Sequence, residues 1–372
     1  MTEPTDVIII GGGIAGTSAA AALAENGNIV LLEQEAQPGY HSTGRSAATF
    51  APYYGPEIIQ QLSALSKSLL TTPPTEFSAT PFTSPKGELM LGREQDKEEI
   101  EKHLALGMQP LSLQEAREYV PLIRGDNISE ILYTDNMLDI DVDALHQAYI
   151  KRLKTLGGQL HCNAQVTDLH YESKLWHVCT GNDVWRAPVI VNASGAWADH
   201  IATMAGLKPL GIKPKRRSAA LVPYLPDTNM SDWPMVFGAA ENFYCTPFGN
   251  GLMISPADAT PVDPQDAWPD DLDIARGIHE FQQYIDYDVD LVDHQWAGLR
   301  NFAPDGEPVV GFDQKLEGFF WLAGQGGYGI QTSPAMAGLC RQIIQGGQSA
   351  CGWFDTSERQ RIRQRLKPER FS

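Results

Sequence analysis

The chain is poor in positive charge. Its 372 residues hold 28 Lys and Arg against 46 Asp and Glu, a formal net charge of −18. A nucleic-acid binder needs a basic face against phosphate, so no nucleic-acid partner is expected. Long hydrophobic runs are missing too. None approaches the roughly 18–20 residues of a spanning helix, so no integral membrane segment is expected. The opening residues MTEPTDVIII contain neither a basic n-region nor an apolar h-region ending in a small-residue cleavage site. The expectation is a chain with no secretory leader. Cysteine is scarce: Cys162, Cys179, Cys245, Cys340 and Cys351, with no Cys-x-x-Cys pair. That excludes a disulfide framework and the usual zinc spacings. A cytoplasmic location and no metal are expected.

What is present is an ordinary globular composition, 42% hydrophobic and 20% charged. The length exceeds the usual single core, so two domains are expected. Val7 to Ile10 is a β-branched run, as in a strand buried on both faces. Gly11-Gly12-Gly13-Ile14-Ala15-Gly16 follows and satisfies G-x-G-x-x-G. An alanine-rich helix to Ala24, Asn26-Gly27 as its stop, and a strand from Asn28 to Glu33 complete a βαβ start. Glu33 lies 22 residues after Gly11, placed to accept from ribose hydroxyls. Glycines let backbone approach a pyrophosphate at the helix N-terminus. With strand, helix and acid all in place, this is a dinucleotide-binding fingerprint.

The fingerprint alone serves nicotinamide and flavin alike. The second strand, however, runs into the polar loop Gln37 to Ala47, with Ser42, Thr43, Gly44, Arg45 and Ser46 crowded together. No regular βα unit continues. Such a loop suits an extended cofactor and offers hydroxyl and amide groups to it. Further on, Asp141 caps a helix through Leu156. Gln159 to Glu172 and Leu175 to Cys179 read as strands, and Val189 to Trp197 as a buried strand ending in the small-residue turn Ala193-Ser-Gly195. Two blocks interrupt this unit. The first holds a helix from Glu57 to Leu70 and a strand after Lys86-Gly87. The second holds strands at Ser218 to Tyr224, Asn242 to Phe248 and Gly251 to Ser255, then a helix from Asp271 to Ile285. The expected fold is α/β with a β-rich lid: a discontinuous Rossmann-like domain (1–51, 136–205 and 295–372) and an antiparallel-sheet substrate domain (52–135 and 206–294). Near the C-terminus Phe319 to Leu322 is a last buried strand, Gly324 to Gly329 its turn, and Thr332 or Ser333 a helix cap with Pro334 in the first turn.

Gly11 to Gly16, Asn192-Ala-Ser-Gly-Ala-Trp197, Trp296-Ala-Gly-Leu-Arg300 with Asp305, and Gly324 to Gly329 resemble the FAD-dependent D-amino-acid oxidase and glycine/sarcosine oxidase superfamily. Within it, Pro38 to Ala48, Asp143 to His146, Pro214 to Ala219, Asp232 to Met235 and Gly326 to Thr332 resemble the D-arginine dehydrogenases. The resemblance implies oxidation of a D-amino acid by hydride transfer to FAD, the imine then hydrolysing to a 2-oxo acid and ammonia. It implies cofactor contacts from Gly11, Gly13, Ile14, Ala15, Gly16, Glu33, Gln34, Ser42, Thr43, Gly44, Arg45, Ser46 and Ala47. Further along the chain it implies them from Val166, Ala193, Gly195, Trp197, Arg300, Gly326, Gly327, Tyr328, Gly329, Ile330 and Gln331.

Arginine suits a substrate carboxylate because its planar fork binds bidentately. The resemblance gives that role to Arg300, with Arg217, Tyr54 and Tyr244 beside it. It gives selection of a basic side chain to Glu88, apolar walls to Met235, Phe237 and Ile330, and a carbonyl for the substrate amine to Gly327. Thr49 and Ala51 stand where the family has His and Thr, so no general base is evident; His41 and His146 read as structural. The closing motif has no cysteine, so the FAD is expected to be non-covalent. Electrons would pass to a quinone or carrier. Rival readings are a glycine/sarcosine-type amine oxidase and a redox-silent dinucleotide-fold binder.

Overall fold

The computed structural model describes residues 5–346 and 356–371; Cys351 lies outside them. Two large sheets organise the chain. The first has six strands in the order Val309–Phe312, Phe319–Ala323, Val189–Asn192, Val7–Ile10, Ile29–Leu32, Gln159–His161. All pairings are parallel except that of Val309–Phe312 with Phe319–Ala323. Val7–Ile10 is flanked by Val189–Asn192 on one side and Ile29–Leu32 on the other. The crevice at the carboxyl ends of such central strands is where open α/β sheets bind ligands.

Both faces of this sheet are covered, which is why its strands read as unbroken apolar runs. Val7, Ile9, Leu31, Val191, Phe320 and Leu322 pack against helices Ile14–Leu23, Glu57–Thr71 and Gly329–Gln345. Ile8, Ile10, Val30, Ile190 and Trp321 face Trp176, Val178 and Trp185 of a three-stranded antiparallel sheet. Ile8 and Ile9 are wholly buried, each stabilising by about 1.5–3 kcal/mol.

The second sheet has nine strands, in the order Gln325–Gly326, His294–Phe302, Lys213–Pro223, Gly251–Ser255, Tyr244–Phe248, Met235–Gly238, Glu88–Gly92, Glu130–Thr134, Gln109–Pro110. It is antiparallel except at Met235–Gly238 with Glu88–Gly92, which pair in parallel. One face carries Leu89, Leu91, Val222, Val236, Cys245, Leu252 and Ile254 into a core closed by Phe281 and Tyr284 of helix Asp271–Tyr284. The alternation of strand side chains then assigns Glu88, Met90, Phe237, Tyr244 and Arg217 to the opposite face, which looks toward the first sheet's crevice.

Three expectations need correction. Gln159 to Glu172 is not one strand: Gln159–His161 joins the six-stranded sheet, and Asp168–Glu172 belongs to the three-stranded one. Asn163, with φ 53°, turns the chain between them. The last helix is not capped by Thr332 or Ser333. It runs Gly329–Gln345 from an N-cap at Tyr328, with Pro334 inside it. Pro334 lacks the N–H that would bond the Ile330 carbonyl, and the Ser333 hydroxyl donates to that carbonyl instead, at 2.9 Å. The strand expected at Ser218 to Tyr224 runs Lys213–Pro223, so Arg217 lies inside it.

Candidate active site

The turn after Val7–Ile10 is built for a close backbone approach. Gly11 has φ +109°, and a Cβ there would lie 2.5 Å from the Ala193 carbonyl oxygen. At Gly16 a Cβ would lie 1.9 Å from the Gly11 oxygen. Only glycine is accommodated at either position. Glu33, buried at the end of the second strand, accepts from the Gly12 N–H at 2.6 Å and the Glu35 N–H at 2.9 Å. Burial pushes its carboxyl up, and those two donors pull it back. The fingerprint glycines and acid thus meet in one crevice, next to Ala193 of the neighbouring parallel strand.

A cavity of about 550 Å³ extends from this turn, within the range of cofactor sites. Of the proposed cofactor contacts, Gly11, Gly13, Ile14, Ala15, Glu33, Gln34, Ser42, Thr43, Arg45, Ser46 and Ala47 line it. So do Val166, Ala193, Gly195, Trp197, Arg300, Gly326, Gly327, Gly329 and Ile330. Gly16, Gly44, Tyr328 and Gln331 do not. Gly16 lies beneath the turn, and Gly44 closes the loop by donating to the Gly39 carbonyl at 2.7 Å. Tyr328 packs on Tyr54. Gln331 accepts from the Ala51 N–H at 3.1 Å and donates to Ser63 at 3.0 Å.

The polar loop is pinned rather than loose. The Thr43 hydroxyl accepts from the Ile14 N–H at 3.0 Å, and Ser42 donates to the Leu299 carbonyl at 2.6 Å. Arg45 commits its guanidinium to the Ala267 and Ala297 carbonyls, at 3.1 and 3.0 Å, and to Asp266 at 2.5 Å. It therefore fastens the loop to the second sheet while lining the cavity. His41, read as structural, also lines the cavity, between Glu35 at 2.9 Å and the ring of Trp197. His146 is structural: it is buried against the Gly12 carbonyl at 3.0 Å, and burial lowers its pKa.

At the other end the cavity meets Arg217, Tyr244, Arg300 and Gly327. Lys215 pairs with Arg300 and Arg217 with Gly298 across adjacent strands, so both guanidinium groups leave the same sheet face. Neither has a carboxylate in ion-pair range among the described residues. Arg216, one residue away, points to the opposite face and binds Asp258 at 3.3 Å and Asp273 at 2.7 Å. Burial lowers Arg217, and the charge of Arg300 lowers it further. Burial also works against Arg300, but Tyr244 and Tyr54 outweigh it and hold its pKa up. Gly327 lies flat against Arg300; a Cβ there would be 3.0 Å from the guanidinium carbon.

Tyr54 and Glu88 do not line this cavity. Tyr54 flanks it, raising the pKa of Arg300 and lying edge-on to Tyr328 with ring centroids 5.2 Å apart. Glu88 shares the sheet face of Arg217 but lies four strands away. It is partly buried and accepts a short hydrogen bond from the Tyr53 hydroxyl. Burial pushes Glu88 up to about 7, with Tyr53 pulling it down. The resemblance points to Tyr54, but its neighbour Tyr53 is the tyrosine that reaches Glu88. Also unforeseen were Asn301 and Gln325 in the cavity wall. Asn301 Oδ1, Gln325 Nε2 and Arg217 Nε have no protein partner, and unmatched polar atoms facing a cavity suit a polar ligand. Asn301 directly follows Arg300, and Gln325 sits inside the glycine cluster; both signals were available.

A glycine cradle, a buried acid at the second strand and a polar cavity ending in two cations define a dinucleotide-dependent enzyme of the flavin type. The comparisons make this specific. Residues 6–343 match the model of the FAD dependent oxidoreductase family, DAO, and the chain belongs to that family. Glycine oxidase from Geobacillus kaustophilus is 22% identical over 375 residues, covering 94% of this chain and 95% of its own. Its crystal structure superposes with a TM-score of 0.81 over 96% of this chain and 98% of its own, at 22% identity. L-proline dehydrogenase from P. horikoshii gives 0.80 at 22% identity, over 100% and 98%. L-alpha-glycerophosphate oxidase from Mycoplasma pneumoniae, solved with FAD bound, gives 0.80 at 17% identity, over 92% and 95%. The protein is an FAD-dependent oxidoreductase with a Rossmann-like cofactor domain and a substrate-binding domain.

Proposed function

We propose that the protein oxidises D-amino acids with basic or hydrophobic side chains, giving the imino acid and, after hydrolysis, the 2-oxo acid and ammonia. The observation that carries this reading is the pair of guanidinium groups, Arg217 and Arg300, at the cofactor cavity, neither in ion-pair range of a carboxylate among the described residues. Two cations there suit an α-carboxylate, held bidentately by one and shared with the other. FAD, bound non-covalently, supplies the hydride acceptor. Tyr244 and Tyr54 add hydroxyl groups around the carboxylate, and the Gly327 carbonyl receives an N–H of the neutral amine. Thr49 and Ala51 supply no base, and hydride loss from a neutral amine requires none. Glu88 selects a cationic side chain when ionised. Met235 and Phe237, which do not line the cavity, offer apolar surface on the sheet face of Glu88, and Ile330 lines the cavity itself.

The proposal includes the division at 1–51, 136–205 and 295–372 against 52–135 and 206–294, with His294–Phe302 reaching from the cofactor portion into the nine-stranded sheet. It also includes a cytoplasmic location and a quinone or carrier as electron acceptor. Among the described residues no helix is long and apolar enough to cross a membrane.

A second reading is a glycine- or sarcosine-type amine oxidase. The position of Glu88 outside the cavity, engaged with Tyr53, favours it, since no acid within the cavity's arginine end demands a long cationic substrate. One experiment separates the two: anaerobic bleaching of the flavin band near 450 nm (roughly, as for flavins generally) by a panel of D- and L-amino acids, glycine and sarcosine. Fast bleaching by D-arginine, D-lysine and D-methionine supports the first reading. Bleaching by glycine or sarcosine alone replaces it with the second, and bleaching by L-arginine but not D-arginine overturns the stereochemistry.

A further inference from the structure

A second chemistry-bearing cluster lies on the hairpin Asp168–Glu172/Leu175–Thr180, apart from the arginine site. Ser173 and Lys174 form its turn with φ 53° and 65°, the pair of positive values that a tight two-residue hairpin turn requires. That turn sets the register: Glu172 opposite Leu175, His170 opposite His177, Asp168 opposite Cys179. Facing residues share a sheet face. Leu169, Trp176 and Val178 therefore turn into the core, and Asp168, His170, Glu172, His177 and Cys179 turn outward together.

The two imidazoles stack with centroids 4.7 Å apart and planes 16° from parallel. Asp168 Oδ2 lies 3.3 Å from His170 Nδ1. A carboxylate there holds the proton on Nδ1 and leaves the other ring nitrogen a free lone pair, the arrangement that orients metal-ligating histidines. Ligand atoms of His170, Glu172 and His177 all lie within 4.8 Å of one another. Arg186 stands opposite His177 on the third strand. The carboxylates of Asp168 and Glu172 offset Arg186 for an incoming dication. A second trio, Asp168, His170 and Cys179, is as compact, but in it Asp168 is already engaged with His170 Nδ1.

We propose that this face is a transition-metal site of the Zn(II) class, with His170, Glu172 and His177 as ligands and Asp168 as the positioning residue. Two nitrogens and one carboxylate suit zinc, with the fourth place open to water. No linear motif announces it, because His170 and His177 meet only through the hairpin register. The site borders the cofactor wall: Thr167 N–H bonds the Cys179 carbonyl at 2.9 Å, and Val166 beside it lines the cavity.

The test is a Zn²⁺ titration of the FAD-loaded protein against a chromophoric chelator at pH 7.5. Expected are one equivalent bound, about hundredfold weaker binding in His177→Ala and in His170→Ala, and about tenfold weaker binding in Asp168→Asn. Unchanged flavin absorbance in every variant reports an intact fold. Absence of saturable binding, or equal binding by wild type and both histidine variants, overturns the site. An unchanged Asp168→Asn overturns the positioning role.

Discussion

Two residues of the proposed reading, Arg300 and Glu88, can be tested separately. Arg300 presents a planar fork to the cavity, whereas lysine would offer a single point charge. Arg300→Lys should keep its flavin absorbance and lose about 100-fold in kcat/KM for D-amino acids, near 2.7 kcal/mol. Steady-state kinetics with a dye acceptor reads this, and an unchanged kcat/KM would remove Arg300 from the carboxylate site. Glu88 is a different case. Burial raises its pKa to about 7, so it is mostly neutral below that pH and a carboxylate above. KM for D-arginine should therefore fall several-fold between pH 6 and 8, KM for D-methionine should not, and Glu88→Gln should flatten the D-arginine dependence. Stability runs the other way. A carboxyl raised above its unfolded value contributes stability that is full below about 4.5 and lost as pH rises through about 7. Glu88→Gln should then gain on wild type in urea midpoint from pH 5 to pH 8.

The residue-level reading was uneven for physical reasons. Arg300 is singled out by the resemblance carried by Trp296-Ala-Gly-Leu-Arg300, and it lines the cavity. Tyr53 is not singled out, because adjacent tyrosines in a loop leave no periodic clue to which one turns inward.

At the scale of elements, two glycines distinguish the two ends of the cavity. Gly16→Ala puts a Cβ 1.9 Å from the Gly11 oxygen, so the turn must open. The purified variant should be colourless, and added FAD should not restore the 450 nm band. Gly327→Ala presses instead on the Arg300 guanidinium at 3.0 Å. It should bind FAD normally and raise KM about tenfold with little change in flavin spectrum. If both variants lost FAD alike, the glycine clusters would not divide the cofactor turn from the substrate end. The first βαβ unit was readable because a doubly covered strand, a glycine turn and an alanine-rich helix each leave a local signature. The start of the last helix was not. Pro334 usually marks a first turn, and here the Ser333 hydroxyl serves the carbonyl that the proline leaves open. Nor could local pattern reveal that Met235–Gly238 pairs in parallel with Glu88–Gly92, residues some 150 positions away, because only tertiary packing sets that partner.

At the scale of the whole molecule, the cavity belongs to neither sheet alone. Its floor comes from the carboxyl ends of the six-stranded sheet and its far wall from the nine-stranded one, joined through the loop that Arg45 fastens. FAD bound to the folded chain alone should raise its stability by about 2.7 kcal/mol at a hundredfold excess over Kd. The thermal midpoint should fall on flavin removal and recover on its return. How far it recovers depends on whether the loop is ordered beforehand. Arg45 bonds Ala267, Ala297 and Asp266, all groups of the chain itself, and a loop held by such bonds carries a smaller ordering cost at binding. Arg45→Met keeps the stem and removes those bonds. It should leave the apoprotein's midpoint within a few degrees of wild type, yet weaken FAD binding about tenfold or more in a fluorescence-quenching titration. Equal FAD affinity would mean that the clasp only joins the two sheets. A large loss of apoprotein stability at unchanged affinity would point to the same conclusion, that Arg45 serves the joint and not the cofactor.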